Sequence, residues 1–359
     1  MKLHYSMHLN QTGYSIAAQD YILSIKHVRP DVDIQCRFFN KTHLGVSRNR
    51  LQLFKKGDQQ RGRVNIYHSV PHRYKQTKES LKNIGMCLFE TICLPPEWAD
   101  MMNKMDCIVT ASEFNKGVFE NNGVKVPVHV VPHAFDSKLF HGEIKTVGRY
   151  GKITFMSMGT WKNRKNWDTL IQGFYQAFES KDNVCLLVKT DKPEFLKQTV
   201  ERIKRTSKWR SKNTAPVYSE DRKIVTFEDI PQIMKKADVY VSCSLGEGFG
   251  LPGLHAMALG IPVITTRFGG SLEYALENNC TYIRPKKYTR YNVMDNIPQF
   301  QNAIWPVITA EEVSNRMREV YENYPTEKAK RAYEFVHNNF DYDTIGKKFC
   351  EVIEDGLQD

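Results

Sequence analysis

The stretch Ser244-Leu-Gly-Glu-Gly-Phe-Gly-Leu-Pro-Gly-Leu-His-Ala-Met-Ala-Leu-Gly260 gathers the residue types most able to do chemistry. It lies between two apolar runs, Val239–Ser242 and 262–265, and reads as strand, glycine-rich turn, helix, strand. Gly248, Gly250 and Gly253 let a backbone approach a ligand closely. Pro252 suits a helix start. The free N–H groups and positive dipole end there make a natural seat for a diphosphate. Glu247, just before the turn, can hydrogen-bond sugar hydroxyls. The glycines also spell G-x-G-x-x-G, with Glu273 placed 20 residues past the last of them, as in a dinucleotide fingerprint. The match falls late in its half of the chain rather than after a first strand, which argues against NAD.

Further polar groups stand at the ends of other apolar runs. Gly159-Thr-Trp-Lys-Asn-Arg-Lys-Asn166 follows the run 153–157 and precedes an amphipathic helix. His68 follows 64–67, Glu90 follows 84–89, and Gly13 lies in Asn10-Gln-Thr-Gly-Tyr14. Asp31-Val-Asp33 is formally a metal-binding D-x-D, but it precedes a strand in the other half and reads as a surface turn.

These residues need a scaffold, and apolar runs alternating with amphipathic segments supply one. That rhythm predicts parallel sheets flanked by helices. In the first half the spacing predicts strands over 32–38, 64–67, 84–89, Cys107–Thr110 and 128–131. Helices are predicted over 15–26, 96–104 and 112–121. After a polar linker at 141–152 the rhythm restarts. Strands are predicted at 153–157, Val184–Lys189, 224–227, Val239–Ser242 and 262–265. Helices are predicted at 167–180, 193–208, 230–236, 253–259 and 270–277, an irregular aromatic stretch over 286–308, then helices over 310–324, 327–339 and 343–354. The expected division is 1–145, 146–338 and a final helix over 339–359.

Taken together, several motifs resemble glycosyltransferase family 4. Glu247-Gly-Phe-Gly-Leu-Pro-x-Leu-x-Ala-Met-Ala-x-Gly-x-Pro-Val263 resembles its donor motif. The stretch 159–166 resembles its phosphate-binding segment. Asp106-Cys-Ile-Val-Thr-Ala-Ser112 and Val130-Val-Pro-His-Ala-Phe-Asp136 resemble the end of its acceptor lobe, and Phe340-Asp-Tyr342 its C-terminal crossover. The resemblance covers 64–359 well and 1–63 weakly. It implies the α/β GT-B fold: two Rossmann-like doubly wound lobes facing a central cleft, with the last helix crossing back to the first lobe. It implies retaining transfer of a sugar from a nucleoside diphosphate, without a metal or other cofactor, because a lysine and a helix dipole offset the leaving charge.

Residue by residue, Lys165 matches the diphosphate-binding lysine and Glu247 the glutamate that contacts the donor sugar. Backbone N–H groups of Phe249, Gly250 and Leu251, after Gly248, would hold sugar or phosphate oxygens. Gly13 matches a loop glycine near the phosphate. Three positions depart from the family pattern. Thr160 replaces a phosphate-binding arginine, with Arg164 or Lys162 as substitutes. His255 replaces the glutamate that holds the ribose. Glu90 replaces a histidine at the sugar site. Glu90 and His68 are expected to face the cleft from the acceptor lobe.

Composition sets outer bounds. The chain has 359 residues, 41% hydrophobic and 25% charged, with a mean hydropathy of −0.50 and no run long enough to span a bilayer. No signal peptide is apparent, and the 8 cysteines form no C-x-x-C pair, so a cytoplasmic location is expected. Net charge is +11. Much of the excess lies in Lys41, Arg48, Arg50, Lys55, Lys56, Arg61 and Arg63, opposed only by Asp58. Such a stretch attracts phosphates of lipid headgroups or nucleic acid. The expected partners are therefore a nucleotide-sugar donor, with a UDP-sugar expected, and a hydroxyl acceptor, of which an anionic one would fit the basic stretch. A glycan or lipid-linked glycan at a membrane face is favoured. A modified base in DNA, or a degenerate GT-B protein that binds without turnover, is the alternative.

Overall fold

In the computed structural model all residues are described except 41–44, 145–152, 207, 210–211, 225, 292, 294–296, 302 and 358–359. Lys41 and the second part of the expected linker lie outside the described residues. The chain divides into two compact units. Met1–Leu139, Ile224–Ile230 and His337–Asp359 make the first, and Phe140–Lys223 with Pro231–Val336 the second. The sequence-based boundary at 145 thus falls a few residues late, and the excursion at 224–230 was not anticipated.

The first unit is built on β1 (Lys2–Met7), α1 (Gly13–Val28), β2 (Asp33–Phe38), α2 (Arg48–Leu53), β3 (Val64–His68), β4 (Lys82–Met86), α3 (Pro96–Met102), β5 (Cys107–Thr110), α4 (Glu113–Asn121) and β6 (Val128–Val130). Its six strands form one sheet in the order β2-β1-β3-β4-β5-β6, parallel throughout. Parallel strands are covered on both faces, and every residue of β3 and β5 is buried. The hidden strand is β1. His4 and Ser6 alternate with Leu3, Tyr5 and Met7, and all five are buried, so a segment that reads as polar is a central strand.

The second unit carries β7 (Ile153–Met158), α5 (Trp167–Ala177), β8 (Val184–Lys189), α6 (Pro193–Arg205), β9 (Val217–Ser219), α7 (Ile230–Met234), β10 (Val239–Ser242), α8 (Leu251–Ala258), β11 (Val263–Thr266) and β12 (Thr281–Ile283). These strands pair in the order β12-β11-β10-β7-β8-β9, again in parallel. The stretch 286–308, expected to be irregular, contains an antiparallel ribbon, β13 (Lys287–Arg290) against β14 (Ile304–Val307). Three helices follow: α9 (Ala310–Glu322), α10 (Thr326–Asn339) and α11 (Tyr342–Glu354).

Two expected elements differ. The strand predicted at 224–227 is not seen among the described residues there, 224, 226 and 227. The edge of that sheet is β9 instead, and Phe227 goes to the first unit, where the Arg50 guanidinium lies 4.9 Å from its ring centre. The helix predicted at 270–277 is a short 3-10 turn, Gly270–Glu273, because Gly270 is pinned against the glycine-rich turn.

The last helix, α11, returns to the first unit and packs along α1. Asp341 caps it by accepting from Thr344 N at 2.8 Å, a favourable helix start. A Cβ on Gly346 would lie 2.3 Å from the Ser24 carbonyl oxygen, so glycine allows the close approach.

Candidate functional site

The second unit assembles its polar cluster where β7 and β10 end, the side of a parallel sheet at which ligands bind. After β7 the chain turns through Gly159 and a 3-10 segment, Asn163–Lys165. Asn166 then takes a left-handed conformation, φ 58°, and α5 begins. This turn delivers Arg164 and Lys165 side by side. After β10, the turn at 244–250 delivers Glu247. The Arg164 Nη1 donates to Glu247 Oε2 at 2.8 Å and to the Gly246 carbonyl at 2.8 Å. The Lys165 ammonium donates to the other carboxylate oxygen. Leu245 N donates to the Arg164 carbonyl at 2.7 Å, which joins the two turns through their backbones.

Burial alone would raise the Glu247 pKa. The Arg164 and Lys165 charges overcome that and hold the carboxyl down at about 2. Glu247 is therefore an anion at any neutral pH. It can accept hydrogen bonds, and it cannot act as a proton donor there. Two cations against one anion leave the cluster net positive, directly ahead of the α8 N-terminus.

The glycine-rich turn is held by close backbone packing. Gly250 precedes α8 with φ 87°, a conformation natural only to glycine. Tyr274 OH donates to the Gly250 carbonyl at 2.6 Å. Gly270 N donates to the Glu247 carbonyl at 2.8 Å, and a Cβ on Gly270 would lie 1.8 Å from the Gly248 oxygen. Tyr274, Gly269 and Gly270 are site-building residues that the sequence reading missed. The Gly269-Gly270 pair, six and seven residues past the start of β11, was the available clue.

The structure thus brings Lys165, Arg164, Glu247 and the Gly248–Phe249–Gly250–Leu251 turn together. Of the two substitutes for the arginine absent at Thr160, Arg164 is the one at Glu247. Thr160 and Lys162 are exposed. His255 is buried in α8, stacked on Phe140 with ring centres 4.0 Å apart and planes at 13°.

In the first unit, Gly13 opens α1, where Thr12 caps the helix. Glu90 lies half-buried in the loop after β4. That loop is fixed by Asn115, which accepts from Phe89 N at 3.0 Å and donates to the Phe89 carbonyl at 2.8 Å. His68 departs from its expected cleft-facing place. It is buried in a nest of aromatic rings, bonded through Nδ1 to Tyr5 OH at 2.9 Å, with Tyr14 at 4.9 Å and Tyr21 at 5.9 Å. Burial, with the nearby His133 and His8, holds its pKa well below the usual range, so it stays neutral.

The basic stretch also differs from its expected form. Arg50 is buried against Asp20 at 3.1 Å, and Arg63 against Asp33 at 2.9 Å. Both are internal ties rather than surface charge. Asp33 is thereby neutralised, as is Asp31 by Arg29 at 2.9 Å, in keeping with a surface turn.

Comparison with known proteins bears on the fold. Residues 152–292 match the family model of glycosyl transferases group 1. Uncharacterized protein 356 of Sulfolobus islandicus rod-shaped virus 1 is 23% identical over 287 residues, 76% of each chain. The structure of Anabaena HepE in complex with UDP and glucose superposes with a TM-score of 0.69 at 13% identity, covering 99% of this chain and 100% of that one. The apo lipopolysaccharide outer core galactosyltransferase WaaB gives 0.68 at 12% identity, covering 99% of each. The fold is that of GT-B glycosyltransferases, and with the match over 152–292 it supports placing the chain in the glycosyltransferase superfamily.

Proposed function

We propose that this chain is a retaining, metal-independent glycosyltransferase that moves a sugar from a nucleoside diphosphate sugar to a hydroxyl acceptor. The carrying observation is the cluster at the α8 N-terminus, where Arg164 and Lys165 converge on Glu247. In this reading Lys165, Arg164 and the backbone N–H groups of the turn take the diphosphate. Transfer of charge onto the leaving group is then offset by fixed cations and a helix end, without a proton donor. Glu247 and the backbone amides after Gly248 orient the sugar, and His255 stands near the nucleoside. Glu90 and Gly13 belong to the acceptor unit, and the acceptor hydroxyl attacks from the face the nucleotide leaves. UDP is the base of choice, as in the HepE complex. The acceptor is a glycan or lipid-linked glycan, a class to which the name of WaaB also points. We place the protein in the cytoplasm, peripheral to a membrane when its acceptor is lipid-linked.

A second reading, binding of a nucleotide sugar without turnover, is favoured by the exposed Thr160 and by His255 being committed to Phe140. A thermal-shift panel of UDP, GDP, ADP, NAD and their sugars tests the donor site. Stabilisation by one nucleoside diphosphate and its sugar supports it, and stabilisation by NAD alone overturns it. Donor hydrolysis or transfer, with the product anomer assigned by NMR in the presence of a chelator, separates turnover from binding. An inverted anomer, or activity that returns only with added metal, defeats the corresponding part of the proposal.

A further inference from the structure

A cavity of about 350 Å³ opens in the first unit, lined by Arg37, Phe39, Tyr67, His72, Arg73 and Lys75. That volume suits one small group rather than a polymer groove. Its position follows from the sheet. Arg37 and Tyr67 both pair with Ser6 of β1, so they share one face near the C-terminal ends of β2 and β3. Phe39 follows β2, and His72 and Arg73 lie in the short helical turn after β3. In parallel sheets these strand ends are where ligands bind.

The lining is cationic, and its charges are scarcely opposed. Arg37 has Asp58 at 3.6 Å, a long and exposed contact. Among the described residues neither Arg73 nor Lys75 has a carboxylate partner. Arg73 rests on the Phe39 ring at 5.1 Å, which fixes its plane while leaving its edge N–H groups to an incoming ligand. The His8 ring packs on Phe39 at 5.3 Å. Two guanidinium groups and an ammonium suit phosphate oxygens, with arginine able to bind in a bidentate way. The rings of Phe39 and Tyr67 offer apolar faces to a sugar ring. None of these residues belongs to the basic stretch 41–63, two of whose arginines, Arg50 and Arg63, are spent on internal ion pairs.

We propose that this cavity binds a phosphate-bearing sugar, and, on the transfer reading above, that the acceptor is such a phosphosugar. The source can be a free sugar phosphate or the phosphorylated headgroup of a lipid-linked sugar. The test is calorimetric titration of the full chain, without donor, with a hexose 6-phosphate and with the unphosphorylated hexose. Phosphatidylcholine vesicles with and without phosphatidylglycerol provide the lipid arm. The expected result is at least about tenfold tighter binding of the phosphosugar than of the hexose, weakening with salt. Arg73→Glu and Lys75→Glu, both at exposed positions, should each remove most of that preference, and Arg73→Lys should restore part of it. Binding to anionic vesicles but not to the soluble phosphosugar, lost in the same variants, supports the headgroup as the source. Equal binding of hexose and hexose 6-phosphate, variants that lose nothing, or retention only by a DNA oligonucleotide overturns the proposal. Because no donor is present, this outcome is independent of turnover. A chain that binds the phosphosugar yet transfers nothing keeps the cavity and loses the transfer reading. Transfer onto neutral sugars with no phosphate preference does the reverse.

Discussion

Glu247 has a structural role in its ion cluster and, on the proposed reading, a second role at the donor sugar, and pH separates the two. Folding holds its carboxyl at about 2 against an ordinary 4.5. Its contribution to stability is therefore complete above pH 4.5 and is lost as pH falls toward 2. At about 1.4 kcal/mol per pH unit, that contribution is about 3–4 kcal/mol at neutral pH. Glu247→Gln should lower stability at pH 7 by a similar amount, since it leaves Arg164 and Lys165 side by side without their anion. It should also flatten the acid limb of stability between pH 4.5 and 2, measured by denaturant unfolding at each pH. If the variant keeps the wild-type acid limb, the ion cluster is not what sets that limb. On the proposed reading the same variant should also lose transfer even where it remains folded, because the donor sugar would lose its charged hydrogen-bond acceptor. His68 shows the opposite relation of residue to role. Its type and place suggested chemistry, yet its surroundings of Tyr5, Tyr14 and Tyr21 keep it neutral and packed.

At the scale of elements, the glycine-rich turn keeps its shape through contacts with a second turn. Gly270→Ala puts a methyl group 1.8 Å from the Gly248 carbonyl, and neither backbone can give way cheaply. This change should abolish the thermal shift by nucleoside diphosphate while leaving β1–β6 intact, which hydrogen exchange of peptides from both units would resolve. Undiminished ligand stabilisation would mean that the turn does not depend on this contact. The glycines of 248–253 were legible because glycine spacing before an apolar helix has few other uses. Their support was not, because Tyr274 and Gly270 are brought in by tertiary contact from 20 or more residues away. β1 stayed hidden because its buried side chains His4 and Ser6 are polar. A strand at 224–227 is a plausible reading because its apolar residues are real, but Phe227 finds its burial under Arg50. Periodicity reports that a residue is buried, and not against which partner.

The whole molecule closes its chain on itself within the first unit. α11 brings Ile345, Phe349 and Ile353, all buried, onto α1, and Phe349 meets Tyr21 with ring centres 5.1 Å apart. Tyr342 OH donates to Asp20 at 2.7 Å. Asp20 is fully buried, and burial raises its carboxyl to about 6 against an ordinary 3.8, despite Arg50 and Tyr342. A carboxyl so raised binds its proton more tightly when folded, so it favours the fold below pH 6 and that gain fades as pH rises from 4 to 6. Above pH 6 the buried anion relies on Arg50 and Tyr342. Tyr342→Phe removes one of these partners and should cost about 1–3 kcal/mol at pH 7.5. The loss should be smaller at pH 5, where the carboxyl is largely protonated and depends less on a donated hydrogen bond. A loss equal at both pH values would show that the hydroxyl does not serve the carboxylate. Truncation after Asn339 tests the same closure more severely. It uncovers the apolar face of α1, so faster hydrogen exchange should appear first in α1 and β1, at the N-terminal end of the chain. Exchange that rises only in α9 and α10 would instead place α11's contribution in the second unit.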